Sequence, residues 1–157
     1  MLHPSAYNAN LISNQHITIS TAAEQFEFLS QLEVTPDRLV LVALTPIGQK
    51  LFQIQYRKQQ LQFDRFGIPN SFNPAFLLAD VSLIYGDSQM LNNCYQQAGN
   101  PVPAIIDVGN RRSVRYPDQE AINITYSTIS KWKSDIVFSN PVRNYKIEIK
   151  SLGVEQL

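Results

Sequence analysis

The side chains of this 157-residue sequence that could do chemistry are few, and their spacing gathers them into no recognisable catalytic set. The two histidines, His3 and His16, lie in a polar N-terminal stretch and read as solvated side chains rather than metal ligands. The single cysteine, Cys94, sits in Asn93-Cys94-Tyr95 with no histidine near it, and reads as a buried, inert thiol. One cysteine excludes an internal disulfide framework and a Cys-rich zinc site. No GxSxG, Walker loop, GxGxxG, HExxH or CxxC occurs.

Three charged groups remain. Asp80 adjoins an apolar helical face of Leu77, Val81 and Ile84, and reads as a surface side chain or the partner in a local hydrogen bond. Asp118 and Glu120 fall in a proline-bearing turn, where solvated carboxylates are ordinary. Acid–base work would need carboxylates held at a set distance, which sequence spacing does not provide. Arg111, Arg112 and Arg115 lie on a strand, so Arg111 and Arg115 share one face while Arg112 points away. Exposed strand arginines serve solubility, with contact to an anionic headgroup as the alternative. The expectation is a protein with no enzymatic activity, no metal and no cofactor.

Composition narrows the classes further. Thirteen basic residues balance thirteen acidic ones, which argues against a nucleic-acid partner. Only 17% of residues are charged, yet Gln and Asn number 26, so the surface is polar with little charge. The length suits one domain with a sizeable core. The longest apolar run, Leu39 to Leu44, is six residues, against roughly 20 for a membrane-spanning helix.

The elements that must position these residues are mostly strands. Residues 1–25 read as a polar lead-in or linker ending in an edge strand around Ile17 and Ile19; the alternative is that Thr21–Glu24 is a capping box that opens a short helix. From Phe26 the pattern alternates. A strand to Val34 ends in Thr35-Pro36-Asp37, and Arg38–Thr45 follows, apolar on both faces and so expected to need cover on each side. Gln49–Tyr56 and Gln60–Phe66 alternate about a turn at Arg57-Lys58-Gln59, giving an antiparallel meander. Asn73-Pro74 then starts a helix that Gly86 ends; Asp87 caps a second helix that Gly99 stops. Strands return on either side of the Gly109-Asn110 turn and run to Ile149.

Eight or nine strands around a helical insertion make a mainly β (α+β) fold. Residues 26–157 form a single domain, a curved antiparallel sheet closing into an incomplete barrel with helices over its concave side. Such a sheet, lined by Leu, Ile, Phe and Tyr, can enclose a hydrophobic ligand, or the same side chains can simply fill a core.

Certain stretches carry a resemblance. LVLVALTPIGQKLFQI at 39–54 is similar to the strand–turn–strand of LolB, the outer-membrane receptor for bacterial lipoproteins. ALTPIGQKLF at 43–52, LLADVSL at 77–83 and YKIEI at 145–149 resemble a lipoprotein family of unassigned function encoded with aryl-polyene pigment biosynthesis genes. The resemblance covers roughly residues 26 to 152. It implies a LolA/LolB-like half-barrel with a hydrophobic cavity, a non-catalytic role, and a lipidated N-terminal cysteine, absent from this sequence, anchoring the protein at the periplasmic face of the outer membrane. The expected ligand is a hydrophobic acyl or polyene lipid, held by Leu41, Ala43, Phe52, Ile54, Phe63, Phe76, Leu77, Val81, Ile124 and Tyr126. Ile47, at a hairpin tip between Pro46 and Gly48, is the residue the resemblance directs toward the membrane surface; the alternative is that it packs back onto its own hairpin. The competing reading is a fully packed accessory protein that docks to a biosynthetic or export protein partner.

Overall fold

The structure is a computed structural model that describes residues 2–68, 72–98 and 103–157. Five strands, β1 (Leu11–Thr21), β2 (Gln25–Val34), β3 (Arg38–Leu44), β4 (Lys50–Arg57) and β5 (Gln60–Arg65), form one meander. Two helices follow, α1 (Pro74–Tyr85) and α2 (Ser88–Ala98). A second meander comprises β6 (Ala104–Val108), β7 (Arg111–Arg115), β8 (Ile122–Tyr126), β9 (Ile136–Asn140) and β10 (Tyr145–Gln156). All ten strands join one antiparallel sheet in the order β5-β4-β3-β2-β1-β10-β9-β8-β7-β6. The sheet does not close: β5 and β6 are its edges, and the helices carry the chain from one edge to the other.

The two meanders meet where the chain ends meet. β1 pairs with β10 from Leu11↔Gln156 to Thr21↔Tyr145, with one bulge at Asn14/Gln15. The N-terminal stretch expected as a lead-in with an edge strand therefore supplies a central strand, because its partner comes from the opposite end of the sequence. Thr21–Glu24 opens no helix. The Thr21 hydroxyl does accept from Ala23 N and Glu24 N, but the chain turns back at once into β2. The following alternation through Phe26 and Phe28 draws it into the sheet.

One face of the sheet holds the core. Leu32, Leu39, Leu41, Ala43, Phe52, Ile54, Val114, Ile124, Ile136 and Phe138 all point inward and are fully buried. Burying each large apolar side chain contributes about 1.5–3 kcal/mol. On β3 the expectation of cover on both faces holds for one face only. Val40 and Val42 point outward and are half-buried, flanked by Glu33 and Gln55 and by Gln31 and Gln53 on neighbouring strands. The methylene stems of those side chains stand in for a second layer.

Local sequence fixes several turns. Gly109 has φ +60° in the two-residue β6–β7 hairpin, which places glycine at the position where a primed turn needs it. Lys58 and Gln59, both at positive φ, form the equally tight β4–β5 turn without glycine. Asn73 Oδ1 accepts from Ala75 N at 2.9 Å, with Pro74 at the first helical position, as expected. Asp87 caps α2 by accepting from Met90 N at 3.0 Å. The expected stop at Gly99 lies outside the described residues.

α1 is apolar nearly all round, so it cannot lie on a surface, and the sheet wraps it. Side chains from the short N-terminal turn Pro4–Tyr7 and from strands of both meanders fasten it. Tyr7 hydrogen-bonds Ser82 at 2.7 Å; Gln15 on β1 donates to the Tyr85 hydroxyl at 2.6 Å; Tyr126 on β8 donates to Ile84 O. Burial pushes the hydroxyl pKa of all three tyrosines well above the usual range, so they stay neutral. Trp132 stacks on Tyr85 with ring centroids 4.2 Å apart.

The strongest tie is Arg112 on β7, which does point away from Arg111 and Arg115, but into the core. It is the largest fully buried side chain. It donates to Leu83 O and Gly86 O, two carbonyls at the end of α1, at 2.7 and 2.8 Å. The rest of its guanidinium forms a forked pair with Asp107 at 2.7 and 3.0 Å. Burial works to raise the Asp107 pKa, but the hydrogen bonds and charge of Arg112, with Lys131, outweigh it and hold the carboxyl below its ordinary value. Gly86 is required by space: a Cβ there would come within 2.5 Å of Ser82 O and 2.7 Å of a Leu2 methyl. On α2, Asn92 brackets Ile105, donating to its carbonyl and accepting from its N–H, and so occupies backbone groups of edge strand β6.

Candidate functional site

These ties crowd one end of α1 and leave the other end open. The β1–β2, β3–β4 and β9–β10 turns lie at the open end, as antiparallel alternation requires. There the sheet and the first turns of α1 stand apart around a cavity of about 530 Å³. Its walls are mainly apolar: Ile19, Phe28, Leu51, Phe52, Phe72 and Ile147, with Phe76 and Leu77 from the helix. Alternation aims the strand residues inward, and one helical turn carries the wall from Phe76 to Asp80. Phe52 anchors an aromatic cluster, with ring centroids 5.6 Å from Phe28 and 4.9 Å from Phe72. Ligand pockets of this character commonly enclose about 300–1,000 Å³ and carry a few placed polar groups.

The polar groups here are Asp80, Tyr145 and Arg143. Asp80 is only 8% exposed, and its Oδ2 accepts from the Tyr145 hydroxyl at 2.7 Å. Its Oδ1 makes no hydrogen bond among the described residues. Since no fully buried side-chain oxygen or nitrogen among them lacks a partner, that oxygen is not sealed off, and Asp80 is part of the cavity lining. Burial pushes the Asp80 carboxyl up to about 6; the Tyr145 hydrogen bond and the Arg143 charge pull the other way. Burial and the neighbouring carboxylate raise the Tyr145 hydroxyl well above its usual value, which keeps it a donor. Arg143 is exposed at the lip, its guanidinium 4.1 Å from the centroid of Phe76, itself half-exposed.

Of the residues expected to hold a ligand, Phe52, Phe76 and Leu77 line this cavity. Leu41, Ala43, Ile54, Val81 and Ile124 lie in the packed core, and Phe63 packs beside Phe52 and Phe72. Tyr126 is buried against the far end of α1. Ile47 is 81% exposed at the β3–β4 tip and does not pack back onto its hairpin. Ile19, Phe28, Ile147, Arg143 and Tyr145 escape sequence reasoning as cavity residues; the alternation at Ile17–Ile19 and Tyr145–Ile149 was the available signal. Asp118 and Glu120 are exposed, and His3 hydrogen-bonds Ser5 in a short N-terminal turn. Cys94 is half-buried against the core. Among the described residues no three His, Cys, Asp or Glu side chains gather as metal ligands would.

Comparison with curated proteins finds no match to the chain. Residues 13–153 match a family described as a protein of unknown function, DUF3261, and the match takes in both meanders and both helices. The chain therefore belongs to the DUF3261 family.

Proposed function

We propose that this protein is a non-catalytic lipid-binding or lipid-transfer protein, a LolB-like half-barrel working at the periplasmic face of the outer membrane. Its ligand is a long apolar chain of the acyl or polyene kind. The observation that carries this reading is the open, apolar cavity of about 530 Å³ at one end of a sheet whose other end is tied shut around α1. Lining it are groups suited to burial rather than bond-making, and each Å² of ligand apolar surface removed from water contributes about 25 cal/mol. Around the mouth, Ile47, Phe66, Phe76 and Val142 expose apolar surface, with Lys50 and Arg143 near the rings of Phe66 and Phe76. That mixture suits contact with a lipid surface bearing negative charge.

The test is binding of N-phenyl-1-naphthylamine, a neutral probe whose fluorescence rises in apolar surroundings. The native protein should bind it with about one probe per chain. Ile19→Trp, which fills the cavity from a half-buried position on β1, should weaken binding at least tenfold while the far-ultraviolet circular dichroism stays unchanged. Absence of saturable binding to the native protein would overturn the reading in favour of a packed protein that docks to a partner. Where the native protein does bind the probe, native mass spectrometry of protein taken directly from its natural source would name the lipid.

A further inference from the structure

The cavity wall carries one polar feature that apolar burial does not explain. A carboxyl group sits one helical turn inside the mouth, on a helix whose buried side chains are mostly apolar. Its Oδ2 accepts from Tyr145, while Oδ1 takes no hydrogen bond among the described residues and is not sealed off from the cavity that Asp80 lines. A carboxylate oxygen accepts hydrogen bonds and donates none. A cavity meant only for hydrocarbon would gain from Leu or Asn at this position, because a desolvated carboxyl without its full set of donors is destabilising.

The charges bordering the cavity point the same way. Among the described lining residues Asp80 is the one buried charge, whereas Glu24, Glu27 and Arg143 are exposed at the rim. The interior is therefore hostile to an anionic head and receptive to one that brings a proton. We propose that the Asp80–Tyr145 pair is a headgroup subsite, selecting long-chain amphiphiles whose polar end donates a hydrogen bond, as an amine or a hydroxyl does, over those ending in a carboxylate. The donor head meets Asp80 Oδ1, the chain lies along Phe28, Phe52 and Ile147, and Tyr145 holds the carboxylate in place. This rests on the proposal that the cavity takes an apolar chain.

The experiment is displacement of N-phenyl-1-naphthylamine at pH 7.5 by an alkyl amine, an alkanol and an alkanoate of equal chain length, each below its micelle concentration. The amine and the alkanol should displace the probe at concentrations about tenfold lower than the alkanoate, as expected for one hydrogen bond to a charged group. Asp80→Asn keeps an acceptor for Tyr145 and turns an amide N–H₂ toward the cavity, so it should abolish or reverse that order. An alkanoate that competes as well as the amine on the native protein overturns the subsite while leaving the cavity reading intact. So does an order unchanged in Asp80→Asn. If the neutral probe itself fails to bind, both proposals fall together. The native order alone decides the matter should the variant not fold.

Discussion

Replacing Asp80 by Asn should make the protein more stable, and only at higher pH. The carboxyl is 8% exposed, and its pKa moves from an ordinary 3.8 to about 6 in the folded chain. Between those values the folded state binds more protons than the unfolded one, so stability falls as pH rises. The contribution of the protonated acid is complete below about pH 4 and lost once pH has passed 6. Each unit of displacement amounts to about 1.4 kcal/mol, so the loss approaches 3 kcal/mol. Asn cannot ionise and escapes it. Subtracting the two stability curves cancels every other titrating group, leaving a difference that grows between about pH 4 and pH 6 and is flat above. Urea unfolding at pH 4 and pH 8 would measure it, or thermal melting, where about 2–4 °C accompanies each kcal/mol in a domain of this size. The variant should gain roughly 6–12 °C on the native protein in going from pH 4 to pH 8. A difference that is the same at both pH values, or that shrinks as pH rises, would refute the argument that Asp80 is a desolvated acid.

Other perturbations test the frame around the cavity. Arg112→Met removes a buried cation from Asp107 and from the two carbonyls at the end of α1, and should lower stability by about 3–5 kcal/mol in urea titrations. Lys58-Gln59 changed to Asn-Gly places residues that tolerate positive φ in the β4–β5 turn; a gain of about 1 kcal/mol in unfolding free energy is expected. Ile47→Glu alters an exposed hairpin tip, so the melting temperature should stay within about 1–2 °C. Sedimentation with anionic vesicles should drop several-fold in the same variant; undiminished sedimentation would remove Ile47 from the membrane contact.

What the sequence by itself determined is local. Alternation in β2 to β4 and again from Ile122 to Ile149 specifies strands with one dry face, because side chains on a strand repeat every two residues. Asn73-Pro74, Asp87 and Gly109 fix two helix starts and a hairpin, because each supplies an acceptor or a backbone angle that few residues can. The mainly β fold with a helical insertion follows from those signals, and so does an inner face rich in Leu, Ile and Phe. Nothing in the N-terminal stretch says that β1 is central, since that depends on β10 arriving from the other end of the chain. The destination of Arg112 is equally silent: alternation says it points away from Arg111 and Arg115, but not that two helix carbonyls wait there.

The cavity belongs wholly to tertiary structure. Its lining comes from β1, β2, β4, β10, α1 and the segment after β5, so no window of sequence contains it. Asp80 shows the difference most plainly. Within LLADVSL it is a carboxylate beside apolar neighbours, equally at home on a surface. Only when the sheet wraps α1 does it lose most of its water, gain the Tyr145 hydroxyl and become part of the cavity wall. A side chain's type is written in the sequence, whereas its dielectric surroundings and partners are set by residues far away in the chain.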